Sequence, residues 1–161
     1  MRCILLALPL LALVSTAHAQ VPAAIAAPGE TIAATWHAEG AQVYECKAGA
    51  DGKLAWAFRE PIATLLSDSK TVGRHYAGPN WEHMDGSAVV GKVAANAPGA
   101  TPKDIPLLKL DVVSSRGSGA LSGVTTVQRV NTVGGRHEGA CDKAGAFHSA
   151  PYAADYVFLK K

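Results

Sequence analysis

Residues Gly73–Val93 read GRHYAGPNWEHMDGSAVVGKV, and this stretch decides the fold class. Asp85-Gly86 is a strong signal for a two-residue type I′ hairpin, a turn that needs positive φ at both central positions. Trp81–Met84 and Ser87–Val93 flank it as strands. Val72–Ala77 is extended, and Gly78-Pro79-Asn80 turns the chain between it and Trp81. Three short strands in one run, with no helical period among them, set the pattern for what lies on either side.

Upstream, Thr31–His37 reads as a first strand. Val43–Cys46 and Leu54–Arg59 form a hairpin about the turn Ala48–Gly52. Pro61 is expected to end that hairpin, leaving Ile62–Leu66 as a short strand or one helical turn. Downstream, Leu107–Ser114, Thr125–Thr132 and Tyr152–Phe158 are strands. Arg116–Gly123 is Gly/Ser-rich and expected to be mobile, and Val133–Phe147 is expected to be a Gly-rich loop. The expectation is an all-β protein: a single antiparallel β-barrel or β-sandwich domain of eight to ten short strands.

The chain has 161 residues and a formal charge of +2, so nothing in its charge suggests a nucleic-acid partner. Its first residues have a different character. Arg2 is followed by an apolar run, Ile4–Val14, and then by Ala17-His18-Ala19, with small residues where a signal peptidase reads. Residues 1–19 are read as a signal peptide, 20–30 as a flexible lead-in and 31–161 as a single β domain. An apolar run of that length falls short of the about 20 residues a membrane helix needs, and no later segment is long and apolar enough to span. The expected location is secreted or periplasmic. The mature chain would hold 142 residues at formal charge +1, and 26 of its residues are Ala, so its large apolar side chains are few. Val and Ile outnumber Leu in it by 17 to 8, a β-leaning balance. Cys3 leaves with the signal. Cys46 and Cys141 remain as an even pair in an exported chain and are expected to form a disulfide. That bond would close a loop of about 95 residues, worth about 4–5 kcal/mol in chain-entropy models.

Several blocks together resemble a known family. They are GAQVYECKA at Gly40–Ala48, the Gly73–Val93 stretch, VQRVNTVGG at Val127–Gly135 and CDKAGAFHSAPYAADYVF at Cys141–Phe158. In this order they are similar to the domain of unknown function 3455 family of exported bacterial and fungal proteins. Some fungal relatives carry a malate dehydrogenase label, which the residues here do not support. A dinucleotide site needs Gly-x-Gly-x-x-Gly between a strand and a helix. The nearest run, Gly117–Gly123, has the wrong spacing and precedes a strand.

The densest chemistry lies between His75 and Asp85, and parity decides what it makes. If the loop between the two strands is even, His75 shares a face with Glu82, a His–carboxylate pair suited to acid–base work. If it is odd, His75 shares a face with Trp81 and His83, and two imidazoles near Asp85 would resemble a metal site. A plainer reading makes Asp85 a turn residue and Trp81 and His83 core. Arg129 would pair with Asp155 or Glu45, snorkel or bind an anion. Tyr44, Trp56, Tyr152 and Tyr156 would be core or stack on a ligand.

No complete catalytic set, cofactor motif or metal motif is present. The leading expectation is a non-enzymatic binding module for a small molecule or envelope polysaccharide, with His75, Tyr76, Trp81, His83 and Arg129 as ligand-binding residues. The alternatives are a hydrolase or isomerase using His75 with Glu82, and a structural or stress-related envelope protein without ligand. No cofactor is expected. The sequence leaves oligomeric state open.

Overall fold

The computed structural model describes residues 21–161. The expected signal peptide lies outside the described residues. Eight strands follow one another: β1 Thr31–Ala48, β2 Leu54–Ser67, β3 Lys70–Tyr76, β4 Asn80–His83, β5 Ala88–Ala97, β6 Leu107–Arg116, β7 Thr126–Gly134 and β8 Phe147–Lys160. Each pairs antiparallel with the next, and β8 pairs back on β1, so the sheet closes into a barrel. Of the two all-β architectures expected, this is the barrel, with the lowest expected strand count. No described helix is long and apolar enough to cross a membrane.

Not all strands are short. Thr31–His37 and Val43–Cys46 fuse into β1, an 18-residue strand bulged at Ala33 against β8, while β2 is bulged at Arg59 opposite Val43 and Tyr44. A bulge lets a long strand bend around a barrel instead of breaking. Leu54–Arg59 and Ile62–Leu66 fuse through Pro61 into β2. Pro61 is tolerated because β3 joins β2 only from Ala63 onward, so at Pro61 the strand has a single neighbour, Gln42 of β1. β8 begins at Phe147, ahead of the expected Tyr152.

The type I′ turn is present, but elsewhere. Asp68 and Ser69, between paired Ser67 and Lys70, both have positive φ (48° and 62°). At Asp85-Gly86 only Gly86 has positive φ (85°), with its N–H on the His83 carbonyl at 3.0 Å. This is the three-residue hairpin in which a type I turn is followed by a left-handed glycine.

The interior reconciles an Ala-rich composition with a packed core. Ala38, Ala63 and Ala154 are buried and leave room for rings at the centre. Phe158 packs against Trp36 at 4.6 Å and Trp81 at 6.3 Å between centroids, and Tyr156 meets Trp81 edge-on at 5.2 Å. Such pairs add about 0.5–1.5 kcal/mol each beyond area burial.

The segment expected to be a flexible lead-in is docked on the outer wall of the barrel: a 3-10 turn, Ala23–Ile25, buries Ile25 completely against the face from which Gln128 projects. Gln128 Nε2 donates to the Ile25 carbonyl at 2.6 Å, and Thr125 and Thr126 hydroxyls donate to Glu30 at 3.1 and 3.0 Å. The stretch expected to be mobile, Arg116–Gly123, plugs one end of the barrel. Asp85 Oδ2 accepts the Ala120 N–H at 2.8 Å, Ser87 Oγ accepts the Leu121 N–H at 3.2 Å, and Leu121 is buried. At the opposite end, the loop from Gly135 to Ala146 is pinned by the Cys46–Cys141 disulfide and by Trp56 N–H on the Gly139 carbonyl at 3.0 Å.

Candidate functional site

The β3–β4 connection is the odd one. Tyr76 pairs with Asn80, leaving Ala77, Gly78 and Pro79 as the loop, so His75 lies opposite Trp81 and Gly73 opposite His83. His75 and Trp81 point inward and stack, with centroids 4.6 Å apart and planes at 11°. Arg74, Tyr76 and Glu82 take the outer face. There Glu82 accepts from the Tyr76 hydroxyl at 2.8 Å and from Arg74 at 3.1 Å, and lies 2.9 Å from Arg116. These donors hold the Glu82 carboxyl below its usual range, the Tyr76 hydroxyl foremost. His75 and Glu82 are therefore on opposite sides of the barrel wall and form no pair.

Nor do the two imidazoles meet. His83 stacks on Trp36 at 5.2 Å, with Nδ1 2.9 Å from Asp85 Oδ2, at the plugged end. Asp85 is held well below the usual carboxylate range, first by the Ser87 hydroxyl at 2.6 Å and then by the Ala120 and Ser87 N–H groups. Its role here is to tie the β4–β5 turn to the Arg116–Gly123 stretch. Among the described residues no group of three His, Cys, Asp or Glu gathers as a metal site would require.

What the inward face of His75 and Trp81 does line is a cavity of about 380 Å³, opening at the end away from the plug. Small-molecule sites lie in this size range and are mostly apolar with a few placed polar groups. Leu108, Leu110, Ile105, Val93 and Phe58 supply apolar wall. His75 is 3% exposed, and burial lowers its pKa to about 3, so the ring is neutral. Its Nδ1 lies 2.8 Å from the Asn80 carbonyl, which can only accept, so Nδ1 carries the proton and Nε2 is a bare acceptor.

Arg129 enters the same cavity. The expected ion pairs with Asp155 and Glu45 do not form, because Arg129 sits opposite Tyr156 and Leu108 on the inner face. Asp155 instead engages His37 and Asn131 outside, both at 2.8 Å, and Glu45 engages Lys47 at 3.1 Å. Arg129 Nε and Nη2 both donate to the Pro106 carbonyl, at 3.0 and 2.8 Å. Nearby, the Tyr152 and Tyr156 hydroxyls are 3.3 Å apart, and burial pushes both above the ordinary tyrosine range.

Of the five residues expected to bind a ligand, the cavity unites His75, Trp81 and Arg129. It excludes Tyr76, which faces outward, and His83, which lies at the plug. It adds Gln42, which sequence reasoning passed over. The signal was available: Gln42 has the parity of the core residues Tyr44 and Cys46 in β1. Trp81 Nε1 is fully buried without a hydrogen-bond partner, and the Gln42 amide lies beside the Tyr152 hydroxyl.

The chain matches the family described as Protein of unknown function (DUF3455) over residues 26–160. It belongs to that family. No curated protein and no solved structure matches it. The DUF3455 match runs through all eight strands, so the ring and its cavity lie wholly within the family's domain.

Proposed function

We propose that this DUF3455 protein is an exported, non-enzymatic binding module whose barrel takes a small molecule into the cavity at its open end. One observation carries this reading: a cavity of about 380 Å³ with a mostly apolar wall that Arg129 and the neutral His75 also line. An apolar cavity of this size with a few placed polar groups is the common form of a small-molecule site. A single cavity closed at its far end suits a compact ligand better than a polysaccharide chain. The separation of His75 from Glu82 across the wall removes the geometric basis for acid–base chemistry by that pair. Export is supported by the apolar leader expected in residues 1–19 and by the disulfide, which persists in oxidising compartments.

The test is an NMR titration of residues 20–161 with a neutral apolar probe, 2-naphthol. Trp36, Trp56 and Trp81 provide three indole N–H signals. The reading expects the Trp81 indole and the amides of Leu108, Leu110 and Tyr156 to shift together and saturate. A Leu108→Trp variant, which fills the cavity, should remove the effect. Shifts confined to outer-face residues, or none, would favour the ligand-free structural alternative.

A further inference from the structure

The cavity has a sign as well as a size. Its lining residues include no carboxylate, while Arg129 brings a permanent charge into it. The other lining cation, Arg59, is already engaged by Glu60 at 2.9 Å and lies over the Phe147 ring at the rim. His75 is neutral, and the tyrosine hydroxyls stay protonated. The lining thus carries one positive charge, on the half-buried Arg129, with no carboxylate beside it.

The hydrogen-bond inventory points the same way. A guanidinium has five N–H donors in a planar fork. The Pro106 carbonyl occupies two of them, through Nε and Nη2. Three remain, and two of them, one on Nη1 and one on Nη2, form the edge that meets a carboxylate with two parallel bonds. The remaining wall, from Leu108 and Leu110 to Val93 and Phe58, is apolar.

We infer, on the basis of the binding reading above, that the ligand is a small monocarboxylic acid with an apolar body, its carboxylate received by Arg129 and its body against Leu108, Leu110 and the Trp81 ring. One free cation selects a monoanion over a dianion. The Pro106 carbonyl acts as the positioning group, since it aims the fork.

The test compares 2-naphthoate with its neutral isostere 2-naphthamide by titration calorimetry on residues 20–161. The acid should bind at least about tenfold more tightly, the lower bound for a charge-assisted pair. Arg129→Gln should bring the acid-to-amide affinity ratio down to about one, and Arg129→Lys should restore part of the preference. Equal affinities for acid and amide would overturn the inference while leaving the cavity reading intact. Binding of neither, with no response to 2-naphthol, would overturn both. If Arg129→Gln fails to fold, the acid-to-amide ratio on the unsubstituted protein decides.

Discussion

Removing the Cys46–Cys141 bond should cost this protein a large part of its stability. The perturbation is Cys46→Ala with Cys141→Ala, chosen because Cys46 is 1% exposed and alanine leaves no polar atom behind. The bond joins positions 95 residues apart. In the chain-entropy account a loop of that length is worth about 4.7 kcal/mol at 25 °C. Other ties across the same junction survive the substitution. Cys46 N–H still donates to the Ala146 carbonyl at 2.9 Å, Gly145 N–H to the Cys46 carbonyl at 2.9 Å, and Ala55 still bridges Ala140. They hold the native loop in place, so the loss falls on the unfolded state, which becomes freer. The loss of each buried sulfur adds a small packing cost. Equilibrium urea unfolding should therefore show a midpoint lower by about 1.6–4.7 M, for a slope of about 1–3 kcal/mol/M. Thermal unfolding should shift down by about 9–18 °C. A double variant within about 1 kcal/mol of the unsubstituted protein would refute the reasoning. It would mean that the unfolded chain is already constrained, or that the aromatic interior alone carries the barrel.

His75 should make stability depend on pH. Its native pKa, about 3, lies below the unfolded value of 6.5, so the unfolded state binds more protons between those limits and stability falls as pH drops through that window. Between pH 6.5 and 4.5 the unsubstituted protein should lose about 2 kcal/mol more than His75→Gln does, measured by urea unfolding at each pH. Parallel losses would show that the ring is not kept neutral by burial. Gly40→Ala should destabilise by about 1–3 kcal/mol, since its Cβ would lie 2.6 Å from Ala63 Cα and against the Ile62 carbonyl, both backbone; an unchanged thermal midpoint would show that β1 and β2 can part there. Glu82→Ala should leave 2-naphthol binding unchanged, because Glu82 points out of the barrel; a large loss would bring back the reading that couples it to His75.

Three further features were legible in part. The alternation in Val127–Val130 places Arg129 opposite in facing to Val130, but not which of the two faces is inside. A charged residue on a strand is usually outside, and the expected partners Asp155 and Glu45 followed from that habit. Closure of the barrel reverses it: β8 sets Tyr156 and Phe158 on the face shared with Val127 and Arg129, so the guanidinium is carried inward. Pro61 misled for a related reason. A proline breaks a strand flanked on both sides, and only the pairing pattern shows that β2 has one neighbour there. Asp85-Gly86 does turn the chain, yet the turn type depended on φ at Asp85, which the hydrogen bonds to Ser87 and Ala120 help to set.

Sequence alone determined what rests on local chemistry and on counting. Period-2 alternation, closely spaced turn residues and the excess of β-branched side chains specify strands and exclude a helical fold. The even cysteine pair specifies a disulfide, which the structure contains. The cluster from His75 to Asp85 was visible as a concentration of chemistry. Which of its members face one another was not, because a single residue more or less in the Ala77–Pro79 loop moves every later side chain to the other face. Only the tertiary structure decided that parity, sent Glu82 out and His75 in, and brought Arg129 of β7 and Gln42 of β1 to the same cavity. Those residues are separated by tens of positions along the chain, and their meeting is a property of the closed ring rather than of any stretch of it.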